Sequence, residues 1–188
     1  MRWTIPNILT VLRIALIPVF MIVFYLPVHW SNVAVTALFG LAALTDWFDG
    51  YLARRLQQTS PFGAFLDPVA DKLIVAVALV MLVQNNPTFL FVVPASIIIG
   101  REIAISALRE WMAEIGERTQ VAVSAIGKIK TTAQMVALAL LLYREPLWGL
   151  PTHDIGMVLL YVAAILTLWS MIMYLRAAWP LLSASDDS

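Results

Sequence analysis

Six stretches of this chain are apolar enough, and long enough, to cross a lipid bilayer, and that limits the fold more than any other feature of the sequence. A spanning helix needs about 20 mostly apolar residues. Such stretches cover residues 6–25, 33–53, 61–83, 89–107, 121–143 and 155–175. Turn-forming clusters separate them, such as Gln-Asn-Asn-Pro-Thr at 84–88 and Glu-Pro-Leu-Trp-Gly-Leu-Pro-Thr at 145–152. The apolar residues surround each helix instead of forming one stripe, as lipid requires. A membrane barrel would show period-2 alternation, which is lacking here. The expected fold is therefore all-α: a polytopic membrane protein with six transmembrane helices. They form a single domain over residues 1–182, followed by a disordered acidic tail at 183–188.

Composition narrows the function classes. Of the 188 residues, 61% are hydrophobic and 13% charged, against about 25% charged in soluble domains. A soluble globule, a disordered chain and a basic nucleic-acid binder are excluded, so the expected surroundings are membrane lipid and not nucleic acid. The chain has no Cys, which removes disulfides, thiol nucleophiles and Cys metal sites. His29 and His153 fall in connecting segments and read as solvated loop residues. Arg13 interrupts the first apolar run and no small-residue cleavage site follows Tyr25, so that run reads as a span and not as a leader.

Lys and Arg in the connections set the orientation. One side holds Arg2, Arg54, Arg55, Arg109, Arg118, Lys128, Lys130 and Arg176, and the other holds Arg144 alone. This bias puts both termini in the cytoplasm. Arg13, Lys72 and Arg101 lie inside spans.

Charges inside spans are costly and mark functional sites. Seven of the 24 charges lie between residues 46 and 72: Asp46, Asp49, Arg54, Arg55, Asp67, Asp71 and Lys72. On a helix, Asp46, Asp49, Gly50 and Ala53 share one face of the second span, and Gly63, Asp67 and Asp71 share one face of the third. Thr59-Ser60-Pro61 reads as a helix start, a hydroxyl N-cap followed by Pro at the first position. At 1.5 Å per residue, Asp46 lies about 12 Å from Arg54, and Asp67 and Asp71 lie about 9 and 15 Å from Pro61. The two carboxylate pairs thus stand at matching depth. Four like charges cannot stay ionised together without cations, and oxygen-only ligands select Mg²⁺ or Mn²⁺, two ions for four carboxylates. Gly50, Ala53 and Gly63 leave room for something bulky beside the metals. Arg54 caps the mouth, where a diphosphate would need it. Pro68 removes a helical N–H and frees the carbonyl of Ala64.

The eight residues Asp46, Asp49, Gly50, Ala53, Arg54, Gly63, Asp67 and Asp71 complete the pattern D-x2-D-G-x2-A-R-x8-G-x3-D-x3-D. The chain is thereby identified as resembling the CDP-alcohol phosphotransferase family, which that pattern defines. The resemblance implies a six-span membrane enzyme, a homodimer, that uses divalent metal to move a phosphatidyl or similar group from a CDP-linked donor to an alcohol, releasing CMP. It implies that Asp46, Asp49, Asp67 and Asp71 are the metal ligands and that Asp71 is also the catalytic base.

Three further groups bear on the substrates. Asn7, Thr10 and Arg13 form a polar stripe on the first span, near the expected nucleotide of the CDP-lipid. Arg101 lies eight residues, about 12 Å, before Arg109 on the fourth span. Lys128 and Lys130 stand at the start of the fifth, about 200° apart on the helix, so one of them faces a given site. Lys128 shares a face with Ser124, Thr131 and Thr132 and is favoured, while Lys130 can snorkel to the interface. Arg101, Lys128, Lys130 and Arg109 are the candidates for holding a phosphate on the acceptor. Arg101 could instead pair with Glu102 of a neighbouring subunit or with the Asp cluster. The sixth span has no charge and offers no site residue.

Segments at 6–13, 45–55, 62–72, 101–114 and 127–135 extend the resemblance to the bacterial members of the family. Those members join CDP-diacylglycerol to sn-glycerol 3-phosphate in the cytoplasmic (inner) membrane, giving phosphatidylglycerophosphate and CMP. A family relative using inositol phosphate, serine or phosphatidylglycerol is the nearer alternative. A cation transporter built on the Asp cluster is the alternative from another class, but it accounts for neither the small residues nor the matched depth on one side.

Overall fold

A computed structural model describes residues 5–56, 61–114 and 125–185. Among these residues the chain forms six helices: α1 (Ile5–Tyr25), α2 (Ser31–Leu56), α3 (Pro61–Asn85), α4 (Phe89–Glu114), α5 (Ala125–Tyr143) and α6 (Thr152–Ser185). The extended structure described is an isolated bridge between Leu147 and Leu150. The all-α expectation holds. α3 begins at Pro61, where the sequence placed a helix start; Thr59 and Ser60 lie outside the described residues. α6 continues to Ser185, into the stretch expected to be a disordered tail.

Four helices carry spans of full length, Asn7–Tyr25, Pro68–Asn85, Phe89–Ala113 and Thr152–Arg176. The apolar parts of the other two, Ser31–Asp46 and Ile129–Tyr143, are shorter. At 1.5 Å per residue they reach about 24 and 22 Å, less than the roughly 30 Å hydrocarbon core. In α2 the carboxylate motif takes over after Asp46. In α5 Lys128 and Lys130 stand at the same end.

The chain divides into two compact units, residues 1–86 with 138–153, and residues 87–137 with 154–188. In the first, α1 packs along both α2 and α3, which meet each other over a shorter stretch. The buried residues of α1 are Asn7, Thr10, Arg13, Ile17, Phe20 and Phe24. Their three- and four-residue spacing makes one inward face, polar in its first half and apolar in its second. Ser31, Val35, Phe39 and Ala42 form the matching face of α2, and Ala70, Ile74 and Ala78 that of α3. Phe20 and Phe39 meet across α1 and α2 with ring centroids 6.5 Å apart.

The end of this unit opposite the motif is tied by polar contacts. The Asn32 amide donates to Glu145 at 3.2 Å, the Thr152 hydroxyl donates to the Glu145 carbonyl at 2.7 Å, and the Asn86 amide meets the His153 ring at 3.3 Å. His153 thus stands in the first turn of α6 and not in a free loop. Partial burial makes the Arg144 guanidinium less basic than usual. The Phe24 ring, 4.1 Å from its carbon, offers a cation–π contact in place of water.

In the second unit, α4 buries Phe91, Ala95, Ile98 and Ile105, and α6 buries Leu160, Ala163, Ala164 and Thr167. The Tyr161 hydroxyl donates to the Leu90 carbonyl at 2.7 Å.

Because Phe20 is 1% exposed and packed on Phe39, Phe20→Ala should leave a cavity and cost about 3 kcal/mol. Thermal unfolding of the detergent-solubilised variant checks this, with Val19→Ala on the exposed face as the neutral control.

Candidate active site

The first site grows out of the inward faces of α1, α2 and α3. Asp46 follows Ala42 by four residues, so it continues the buried row of α2. Asp71 precedes Ile74 by three and Ala78 by seven, so it continues that of α3. Arg13, on the inward face of α1, is 1% exposed and reaches both. Its Nη1 donates to Asp46 Oδ1 at 3.1 Å and also to Asp71 Oδ1. One guanidinium from the middle helix therefore links carboxylates from the helices on either side. Asp46 and Asp71 keep 45% and 44% of their side-chain surface exposed, so the linked pair remains open to an incoming ligand.

Asn7 and Thr10, one and two turns before Arg13, are 3% and 0% exposed, and Gly63 at the start of α3 is buried. The structure thus gathers Asn7, Thr10, Arg13, Asp46, Gly63 and Asp71 on the inward sides of three helices. Asp49, Gly50, Ala53, Arg54 and Asp67 belong to α2 and α3, but their side-chain positions lie outside the described residues. Arg13, expected near the nucleotide, is in contact with the Asp46 and Asp71 carboxylates.

Among the described residues no group of three or more His, Asp or Glu side chains stands ready for a metal. The described pair nonetheless suits one. Both donors are carboxylate oxygens, both are accessible, and a hard dication such as Mg²⁺ is held through one or two carboxylates with substrate phosphates completing its shell.

A second polar cluster lies in the other unit. Glu102 falls between Ile98 and Ile105 on the buried face of α4. Its Oε1 accepts from Arg101 Nη1 at 2.8 Å and from Lys130 Nζ at 3.3 Å. Arg101 Nη2 donates to Ser170 Oγ at 3.1 Å, and the Tyr174 ring centroid lies 6.0 Å from the guanidinium carbon. Lys130 is 6% exposed and shares a buried face with Gln134 and Ala137. Among the described residues, one carboxylate is thus shared by two cations.

This differs from the sequence reading in three ways. Arg101 pairs with Glu102 of its own chain. Lys130 turns inward to the same carboxylate instead of reaching away; the side chains of Lys128 and Arg109 lie outside the described residues. The uncharged sixth span does take part, through Ser170 and Tyr174. Glu102 had a signal in the sequence, since it occupies a core position of the α4 repeat. Ser170 had little, because one hydroxyl in an apolar helix usually bonds its own backbone, as Ser170 also does to the Thr167 carbonyl.

The first unit is thus all-helical, with acidic residues on two helices astride a third. The chain belongs to the CDP-alcohol phosphatidyltransferase family, whose model matches residues 3–169. It is 57% identical over 178 residues to a CDP-diacylglycerol–glycerol-3-phosphate 3-phosphatidyltransferase of Shigella flexneri serotype 5b. The identity and length are the same for the protein of that name from Escherichia coli K12. Each comparison covers 95% of this chain and 96% of the relative.

If Glu102 holds two cations together, Glu102→Gln should leave them facing each other with less than their full counter-charge. We expect a loss of roughly 2 kcal/mol in stability, read as a lowered unfolding temperature in detergent, while Glu110→Gln on the exposed side of α4 stays near wild type.

Proposed function

We propose that the protein transfers the phosphatidyl group of CDP-diacylglycerol to sn-glycerol 3-phosphate, giving phosphatidylglycerophosphate and CMP in phospholipid synthesis. The 57% identity along nearly the whole chain to phosphatidyltransferases of that name carries this reading. The complete carboxylate motif supports it. The second cluster supports the acceptor, because Arg101 and Lys130 converge there and such cations suit a phosphate monoester.

In this reading Asp46, Asp49, Asp67 and Asp71 hold Mg²⁺ or Mn²⁺, two ions per site, which supply Lewis-acid neutralisation of the donor diphosphate. Asn7 and Thr10 line the nucleotide end of the donor site, and Arg54 meets the diphosphate. Gly50, Ala53 and Gly63 leave space for the donor beside the carboxylates. Asp71 takes the proton from the glycerol 1-hydroxyl, the oxygen attacks the lipid-bearing phosphorus in line, and CMP departs. No covalent enzyme intermediate is required; position and electrostatics supply the acceleration. The acceptor phosphate is held by cations drawn from Arg101, Lys128, Lys130 and Arg109. The enzyme works as a homodimer in the bacterial inner membrane, with both termini and the site on the cytoplasmic side.

CMP release from CDP-diacylglycerol, assayed with a panel of alcohols and product mass, tests the activity. We expect release with glycerol 3-phosphate, its loss on chelation and its return with Mg²⁺ or Mn²⁺; turnover with serine or inositol phosphate instead would replace the acceptor. Asp71→Asn should cut kcat at least 10³-fold, the upper part of the general-base range of about 10²–10⁴; because Asp71 is also a partner of buried Arg13, the unfolding temperature should fall too, and kcat is compared where the variant is still folded. Arg101→Ala should raise KM for glycerol 3-phosphate more than for CDP-diacylglycerol.

Orientation has its own test, helped by a chain without Cys. Trp148 is 93% exposed in the loop before α6. Trp148→Cys should react with an impermeant maleimide in intact spheroplasts, and Glu110→Cys only after permeabilisation. The reverse pattern would invert the topology.

A further inference from the structure

Arg13 is the largest fully enclosed side chain among the described residues, and it pairs with two residues of the metal motif. Its surroundings are asymmetric. The guanidinium is walled in on the α1 side, at 1% exposure, whereas Asp46 and Asp71 are open to about half their side-chain surface. A cation already reaches these carboxylates from inside the helix layer, and a dication from the cytoplasm must approach the same two groups from the open side. Two cations sharing two carboxylates repel each other, and in a site of reduced dielectric that repulsion is stronger than in water. Without either cation, α2 and α3 would present two facing carboxylates across a short helix contact, which is unfavourable for both.

We propose that Arg13 is the built-in counter-ion of the Asp46–Asp71 pair. It holds the two carboxylate helices in place before metal arrives, and it opposes divalent binding, so that the metal binds less tightly than the carboxylates alone would allow. It is a positioning residue, acting through Asp46 and Asp71. The inference rests on the assignment of these carboxylates to metal. It also gives a physical reason for a buried Arg on a span that needs none for insertion: metal held at reduced affinity is poised to be completed by the phosphates of the donor, which supply the remaining ligands.

The experiment uses the full-length protein in detergent, free of substrate, titrated with Mn²⁺. Free Mn²⁺ is read by electron paramagnetic resonance and unfolding temperature is followed in parallel. Arg13→Gln should lower the unfolding temperature of the metal-free protein and bind Mn²⁺ at least tenfold more tightly than wild type. Because a ligand stabilises the form it binds more strongly, the gap in unfolding temperature should narrow as Mn²⁺ saturates. Arg13→Lys, which keeps the charge, should have an Mn²⁺ affinity between the two and serves if Arg13→Gln does not fold. A purely structural role would leave the gap constant with and without Mn²⁺. Equal or weaker Mn²⁺ binding in Arg13→Gln, or weaker binding in Arg13→Lys than in wild type, overturns the inference alone. Failure of the wild-type protein to bind Mn²⁺ overturns the metal assignment together with it.

Discussion

A guanidinium buried among three helices is the interaction on which the first unit depends. An ionised group taken out of water costs several kcal/mol unless partners replace its hydration, and Arg13 finds them in Asp46 and Asp71. The requirement is mutual. The carboxylates need a cation, the cation needs carboxylates, and each of the three comes from a different helix. Within a bilayer, apolar surfaces of neighbouring helices gain little from meeting each other, because lipid is as apolar as they are. The polar link therefore fixes register where apolar packing alone would leave α2 and α3 free to slide along α1. The inward face of α1 follows from this: Asn7, Thr10 and Arg13 occupy the half beside the motif, and Ile17, Phe20 and Phe24 the half beyond it.

The second unit repeats the principle with the opposite balance. There Glu102 accepts from two cations, Arg101 and Lys130. Among the described residues, one cation joins two carboxylates in the first cluster, and one carboxylate joins two cations in the second. A reaction between a metal-borne diphosphate and a phosphate-bearing alcohol needs both kinds of environment.

What was legible in the sequence follows from which constraints are local. Helix existence is forced by lipid, so the spans could be read closely: α1, α3 and α4 begin within a residue of their expected starts. The carboxylates of α2 and α3 were legible because helical spacing and a Pro start fix their depth without reference to other helices. Partners were not legible. Whether Arg13 meets a nucleotide or two Asp side chains, and whether Lys128 or Lys130 faces inward, depends on the rotation of one helix against another. Even so, part of that information was present. Glu102 lies four residues after Ile98 and three before Ile105, and Lys130 lies four before Gln134, so each polar residue occupies a position in a buried row. In a membrane helix a charged residue at a core position must have a partner on a neighbouring helix, and taking the rows first would have paired them.

The extent of α2 and α5 follows from the same argument. The apolar part of α2 ends at Asp46, where the motif begins, and that of α5 begins at Ile129, beside the Lys residues, so each falls short of the hydrocarbon thickness at its charged end. A helix that gives up one end to charges cannot bury them in lipid. The charges must instead face protein, metal, substrate or water, and the bilayer around them must thin or admit a water-filled recess. The two shortened helices are the ones whose polar ends the proposed function uses, one for its carboxylates and the other for its ammonium groups. A reaction joining a lipid donor to a soluble alcohol needs such a place, because the diphosphate must meet aqueous reactants while its acyl chains stay in the membrane.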